Sequence, residues 1–369
     1  MPAPENSAGA SFDTWVTHLE IANWTTVIIF IVLFVLIIAW CGRRMHKHKR
    51  WYFWPLPLAV VPLVLAGAAY ANLHFGYYNR LGDLFDSYDF PTGPSALLMD
   101  PKGSHPEGVV VQTIIPSTSS GVPDRPAFIW LPPQYFTAPA GTKFPVVYAY
   151  HGVPGEFSNW FVSGSASKDA AAAAKAGLPA IVVAPSVSGS LLQDTECVNG
   201  VQGNWQDYLS KDVPNYIAKN AHALTGAKAQ AVSGLSMGGY CALITALRNP
   251  DKFGFVGNFS GSTMPTHGGG MTALFGSSSD LNAQVDSYTS SWVIAHQPRS
   301  RKVSTWLSIG SSDEAGLIAD QKNFTAAAKA LGMNAVFTLG QGSHTFYVWS
   351  QDLNTWLPWA LKQMERPHT

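Results

Sequence analysis

Charge is scarce in this chain. Lys and Arg number 23, Asp and Glu another 23, and charged residues make up only 12% of the 369. An average soluble domain carries about 25%. The net charge is zero, so the basic excess that grips a nucleic-acid backbone is missing and no nucleic-acid partner is expected. With 47% hydrophobic residues, a disordered, solvating chain is excluded as well. Cysteine is scarce too. Three cysteines cannot build a disulfide framework, and no Cys-x-x-Cys pair suggests a zinc ribbon. Neither a metal nor a cofactor is expected.

What the chain has in excess is apolar sequence near its start. Residues 21–42 carry no charge, and 27–41 are almost entirely Val, Ile, Leu and Phe. A second uncharged window, 51–73, follows and holds Pro55, Pro57 and Pro62. Proline breaks soluble helices but is tolerated in membrane helices; a Pro-rich linker or a membrane-surface segment is the alternative for this window. A window of about 20 apolar residues can cross a bilayer as a helix. The leading residues lack Lys and Arg, carry Glu5, Asp13 and Glu20, and lead to Gly42-Arg43-Arg44 where a signal peptide would be cut. A retained two-span hairpin is therefore expected over 24–73. Its connecting loop, 42–50 (GRRMHKHKR), holds five Lys/Arg. Excess positive charge stays in the cytoplasm, which puts the 1–23 tail and everything after 73 outside the cell membrane. His46 and His48 in that loop read as lipid-headgroup contacts rather than as a metal site.

Residues 74–106 read as an irregular stalk. From 107 to the end, short β-branched runs alternate with helical stretches. Strands are expected at 109–115, 127–131, 146–150, 180–184, 229–233, 255–259, 303–309 and 335–339. Helices are expected at 167–175, 208–219, 237–248, 315–331 and 346–362. Strand and helix in turn from 146 onward predict an α/β fold, a mostly parallel sheet with helices on both faces. The first two strands, with no helix between them, predict an antiparallel hairpin at one edge.

The chemistry concentrates in Gly234-Leu235-Ser236-Met237-Gly238-Gly239. It matches G-x-S-x-G, with a strand before it and an apolar-faced helix after it. A strand turning sharply into a helix strains the serine and exposes its hydroxyl, and the glycines leave room for neighbouring backbone. The helix N-terminus behind the serine offers free N–H groups to a developing oxyanion. A serine nucleophile needs a base, and the base an orienting acid, in the chain order Ser, Asp/Glu, His. His344 lies between the last strand and the last helix, where that base belongs. His267 sits in a Gly-rich insertion, His296 lacks a preceding strand end, and His368 is terminal. The turn after the penultimate strand is Gly310-Ser311-Ser312-Asp313-Glu314. Asp313 is the expected acid and Glu314 the alternative. The second oxyanion donor is expected after the strand 146–150, in His151-Gly152-Val153-Pro154. Pro154 has no N–H, which leaves the Val153 N–H to act with that of Met237. His151 is expected to hold the turn together.

The block GLSMGGYCALITALRNPDKFGFVGNFSGS together with GSHTFYVWSQDL resembles the esterase D and antigen 85 (mycolyltransferase) branch of α/β hydrolases. The shared features are the serine turn, Asn249-Pro250-Asp251-Lys252-Phe253, the pair Ser260-Gly261, and Gly342-Ser343-His344-Thr345-Phe346 with Trp349. The resemblance covers about 125–362 and implies an α/β-hydrolase fold and carboxyl-ester chemistry by Ser236, His344 and an acid. The Gly310 to Asp313 spacing is on the esterase side, whereas mycolyltransferases carry Glu, and Asp-Gly in place of His151-Gly152. The expected activity is a membrane-anchored, extracytoplasmic serine esterase acting on envelope lipids or acylated glycans. The alternatives are an acyltransferase passing the acyl group to a sugar hydroxyl, an aminoacyl-phospholipid hydrolase, and a non-catalytic binding protein on the same scaffold.

Cys197 falls in a loop after the strand 180–184, and Cys241 one turn into the helix behind the serine. Loops at the C-terminal edge of a parallel sheet converge. In an oxidising compartment these two are candidates for a disulfide.

Overall fold

The computed structural model describes residues 16–47, 56–78, 80–85 and 92–369. Residues 1–15 of the N-terminal tail and 48–50 of the basic loop lie outside the described residues. The chain divides into two compact units, Met1–Asp89 and Phe90–Thr369.

The first unit is a pair of apolar helices, α1 (Trp24–Lys47) and α2 (Leu56–Phe75). Asn23 caps α1, its Oδ1 accepting from the Thr26 N–H at 3.0 Å, which satisfies one of the donors a helix start leaves free. The helices pack on each other, burying Val27 and Cys41 of α1 with Ala59, Ala66 and Ala69 of α2. Small residues let the two backbones approach closely. Pro62 sits inside α2 without ending it. Most of the Ile, Val and Leu side chains around this seam are exposed. Two stretches, Trp24–Arg44 and Pro57–Phe75, are long and apolar enough to cross a membrane by length and composition. The basic segment is not wholly a loop: residues 42–47 continue α1.

The second unit is built on a nine-stranded sheet: β1 (Thr92–Gly93), β2 (Val109–Ile115), β3 (Arg125–Leu131), β4 (Val146–Tyr150), β5 (Ile181–Pro185), β8 (Gln230–Leu235), β9 (Phe255–Phe259), β10 (Ser304–Gly310) and β11 (Ala335–Gly340). A separate hairpin, β6 (Asn199–Gly200) and β7 (Gly203–Asn204), lies in the excursion after β5. The spatial order is β1-β2-β3-β5-β4-β8-β9-β10-β11. β3 runs antiparallel to both its neighbours, β2 and β5, and every other pairing is parallel. Strands β4, β5 and β8 are buried at every residue. That explains their near-continuous apolar sequence, since helices cover the sheet on both faces. Helices α3 (Ala166–Lys175) and α7 (Phe346–Gln363) pack together, α7 against β9 and β10. Helix α5 (Met237–Arg248) packs on β4, β8 and β9 and, with the short helix Ser290–His296, leads to α6 (Ala315–Ala330) beside β10 and β11. α4 (Val213–Asn220) lies between α3 and α5 in the chain.

Three expectations need correction. The expected stalk, 74–106, is not irregular throughout. Helix α2 runs on to Phe75, and the sheet of the second unit already includes residues 92–93. Thr92–Gly93 pairs with Val110–Val111, and Leu97 and Leu98 are buried in the core. The expected helix 208–219 is broken by a wider π turn at Tyr208–Asp212. There Asp212 accepts from the Thr118 hydroxyl at 2.8 Å and the Ser120 N–H at 3.0 Å, so the chain turns toward the 118–120 loop. Between β9 and β10 lie three short helices, Met271–Phe275, Leu281–Ser287 and Ser290–His296, where none was expected.

Candidate active site

All the parallel strands of the second unit end on one edge, and the serine turn forms there. Ser236 joins β8 to α5 with φ 53° and ψ −125°, a left-handed conformation that costs a non-glycine residue energy. The close packing explains the glycines. A Cβ on Gly234 would lie 2.1 Å from the Gly238 carbonyl oxygen, and one on Gly238 would lie 2.3 Å from that of His151. The turn is held from β9, whose Phe259 carbonyl accepts from the Ser236 N–H at 2.8 Å.

The acid loop after β10 and the histidine loop after β11 are stitched to each other. The Ser311 N–H donates to the Gly340 carbonyl at 2.7 Å and the Ser312 N–H to the Gly342 carbonyl at 2.8 Å. Gly342 adopts φ 125°, open to glycine. This brings three of the expected residues into a line. The Ser236 hydroxyl lies 2.8 Å from His344 Nε2, and His344 Nδ1 lies 3.0 Å from Asp313 Oδ1. A carboxylate only accepts, so Nδ1 carries the proton and Nε2 offers its lone pair to the hydroxyl. Trp349 packs edge-on against the imidazole, ring centres 4.9 Å apart. The Asp313 side chain is 5% exposed and that of His344 26%. Burial alone would raise the Asp313 carboxyl. The hydrogen bond and charge of His344, the Ser260 hydroxyl and the Glu314 N–H together hold it below the usual range. Glu314 itself is exposed at the start of α6 and is not placed on His344.

Met237 follows the serine in the chain, and Val153 follows Gly152 in the turn after β4. Met237 opens α5. The turn after β4 lies against the serine, such that a Cβ on Gly152 would sit 3.1 Å from Ser236 Cβ. His151 is buried, its Nδ1 at 2.8 Å from the Gly152 carbonyl and its Nε2 accepting from the Val187 N–H at 3.0 Å. Burial depresses its pKa to about 4, so it is a neutral brace for the turn. The remaining late histidines lie elsewhere: His267 accepts from the Gly269 N–H, His296 stacks on Trp292, and His368 bonds to the Arg366 carbonyl.

The model of the family described as "Putative esterase" matches residues 120–360, which include Ser236, Asp313 and His344. The chain belongs to this esterase family. An uncharacterized protein of Corynebacterium glutamicum is 29% identical to the esterase over 329 residues, 83% of this chain and 75% of that one. The MPT51 antigen of Mycobacterium leprae is 35% identical over 112 residues, 30% of this chain and 34% of that one. Among solved structures, the substrate-bound fluorophosphonate-binding serine hydrolase F of Staphylococcus aureus aligns with a TM-score of 0.59 at 17% identity, over 70% of this chain and 99% of that one. The sheet order and the elbow serine are those of an α/β-hydrolase fold.

Cys197 and Cys241 are joined in a disulfide, Cα atoms 5.4 Å apart, tying the excursion after β5 to the helix behind Ser236. With a sequence separation of 44, the chain-entropy account gives roughly 4 kcal/mol of stabilisation. Cys41 is free. Denatured, non-reduced esterase is expected to titrate one thiol, and reduced esterase three. Three thiols without reductant would show the pair unformed in the cell.

The role of Ser260 was not read from the sequence, although its Ser-Gly pair stood out. Ser260 has φ 52° and follows β9 directly. The Asn258 side chain braces the turn after it, accepting from the Gly261 N–H at 2.8 Å and donating to the Ser262 carbonyl at 3.0 Å.

Proposed function

We propose that the esterase is a membrane-anchored, extracytoplasmic serine hydrolase that cleaves carboxylic esters of envelope lipids or acylated glycans. The observation that carries this reading is the hydrogen-bonded line Ser236–His344–Asp313 at the elbow. Ser236 Oγ attacks the ester carbonyl carbon while His344 Nε2 takes its proton. The carbonyl oxygen becomes an oxyanion within reach of the Val153 and Met237 N–H groups. As the intermediate collapses, the ester C–O bond breaks and the alcohol leaves with the proton from Nε2. Water, its proton taken by the same nitrogen, then attacks the acyl-serine, and the acid is released with Ser236 restored.

Exposed apolar residues support a lipid substrate. Leu191, Leu192 and Val201 lie on the excursion after β5, Met264 on the loop after β9 and Tyr347 beyond β11. All follow strand ends on the edge that holds Ser236. Isolated exposed apolar residues are ordinary, but a set sharing the site's edge is a surface for acyl chains. The two apolar helices support a membrane anchor, with the site outside the cell membrane, and a disulfide fits an oxidising compartment.

The test is a lipid comparison. A strain carrying Ser236→Ala is expected to accumulate one or more ester-bearing envelope lipids relative to wild type. Purified wild-type protein should convert that fraction to the free acid. Unchanged lipid and acylated-glycan profiles in the mutant would count against the substrate class. Transfer of the acyl group to an added sugar would move the reading to acyl transfer.

A further inference from the structure

The last helix, α7, buries one stripe: Phe346, Trp349, Leu353, Trp356, Leu357 and Ala360. Asp352 falls on this stripe and is only 9% exposed. Trp356, one turn on, packs against Phe259 with ring centres 5.9 Å apart. A carboxyl here needs a reason, because a buried charge is costly unless it is paired. No ion pair to Asp352 occurs among the described residues. What faces it is Ser308 of β10 and, beyond it, the Asp313 carboxylate. Ser308 and Ser260 are themselves neighbours, the Ser260 N–H donating to the Ser308 carbonyl at 2.7 Å. Asp352 Oδ2, Ser308 Oγ, Ser260 Oγ and Asp313 Oδ2 are all buried, with the Ser308 hydroxyl toward Asp352 and the Ser260 hydroxyl toward Asp313, and none of the four has a partner outside this set among the described residues.

Two carboxyls and two hydroxyls closed off together have one favourable charge state. If both carboxyls are ionised, two like charges repel each other inside the fold, opposed only by the serine hydroxyls. With one proton added, three O–H donors surround a single carboxylate. Asp313 is the one that must stay charged, because it accepts from His344. We propose that Asp352 is a positioning residue for the triad, carrying the proton of the Asp313/Asp352 pair and keeping Asp313 as a single anion aimed at His344. The inference rests on the triad reading above. The surroundings agree in direction: burial, then the Asp313 charge, push the Asp352 carboxyl up to about 7, with Ser308 opposing them in part.

The charged group that acts on Asp352 is Asp313 from the β10 loop, and Asp313 in turn pairs with His344 from the β11 loop. Helix α3 contributes Asp169, which is held by Ser165 and by Asn354, two residues along α7. An ionised Asp352 would place a second negative charge behind Asp313 and favour the imidazolium form of His344, withholding the base. Proton loss from the pair and from His344 is then coupled.

The test uses full-length esterase in detergent and a soluble nitrophenyl ester. Asp352→Asn keeps the shape and removes the titration. It is expected to retain kcat/KM within about threefold at neutral pH, and its acid limb should move to lower pH by about half a unit as a single ionisation. A uniform loss of rate with the limb unmoved, or no change at all, overturns the proposal. A second measurement is spectroscopic: the wild-type infrared spectrum should show a buried protonated carboxylic acid at pH 6 that is missing from the spectrum of Asp352→Asn. Absence of that band also overturns it. Failure of the triad reading would show separately, as wild-type protein that a fluorophosphonate probe does not label.

Discussion

Ser236→Ala is expected to abolish labelling by a fluorophosphonate probe and to lower kcat by on the order of 10⁴ to 10⁶, as loss of an attacking hydroxyl does when the rest of a triad remains. The probe forms a covalent bond with an activated serine oxygen, and Ser236 is the serine whose hydroxyl lies on an imidazole nitrogen with a carboxylate behind it. The fold should survive. The side chain of Ser236 contacts His344 in this line, whereas the turn is held by backbone, through the Ser236 N–H on Phe259 and the Gly239 N–H on the Ser236 carbonyl. Alanine meets the same left-handed φ that serine already occupies. Thermal unfolding of the variant should therefore match wild type within a few degrees, at about 2–4 °C per kcal/mol for a domain of this size. Labelling at the wild-type rate would remove Ser236 as nucleophile, and a collapsed melting temperature would mean that the hydroxyl is structural.

The serine turn was legible because several local demands coincide there. Gly234 and Gly238 are fixed by backbone approaches shorter than any Cβ would allow, and Gly239 by the Asn258 side-chain oxygen. The helix that follows runs Met237–Arg248, starting at the elbow and stopping before Asn249-Pro250. Residue 344 was legible because a loop between the last strand and last helix can only lie at the strand ends. The apolar strands β4, β5 and β8 announced burial on both faces. What the sequence hid depends on contacts far along the chain. Thr92–Gly93 is two residues long and carries no apolar run, so its pairing to β2 is set by the partner strand. The short helices between β9 and β10 are held from elsewhere, as where the Thr263 N–H and hydroxyl both donate to Asp320 of α6. Asp352 reads as a polar interruption in an apolar stripe, and only the fold shows that Asp313 lies beyond it.

Replacing the acid separates two neighbouring carboxylates. Asp313→Asn is expected to lower kcat/KM by about 10³ to 10⁴ at neutral pH, because the orienting carboxylate fixes the imidazole tautomer. Asp313 Oδ1 lies 3.0 Å from His344 Nδ1, and a carboxylate there admits only the form with its proton on Nδ1. An amide can turn its NH₂ toward the ring, which favours the proton on Nε2 and leaves no lone pair for the Ser236 hydroxyl. Glu314→Gln should change kcat/KM by no more than about twofold, the usual size of an effect at an exposed position. Glu314 reaches the acid only through its backbone N–H, which the substitution keeps. The charge state supports the same ranking. The folded Asp313 carboxyl is depressed, so its ionised form adds stability above the ordinary carboxylate pKa. That stability is lost as pH falls through the folded value. Asp313 therefore remains an anion across the neutral and mildly acid range, and the asparagine variant should lose its activity throughout that range. Steady-state kinetics of both variants against pH, with a soluble ester, give the comparison. A larger loss from Glu314→Gln than from Asp313→Asn would transfer the acid's role to Glu314 and require the loop after β10 to rearrange when substrate binds.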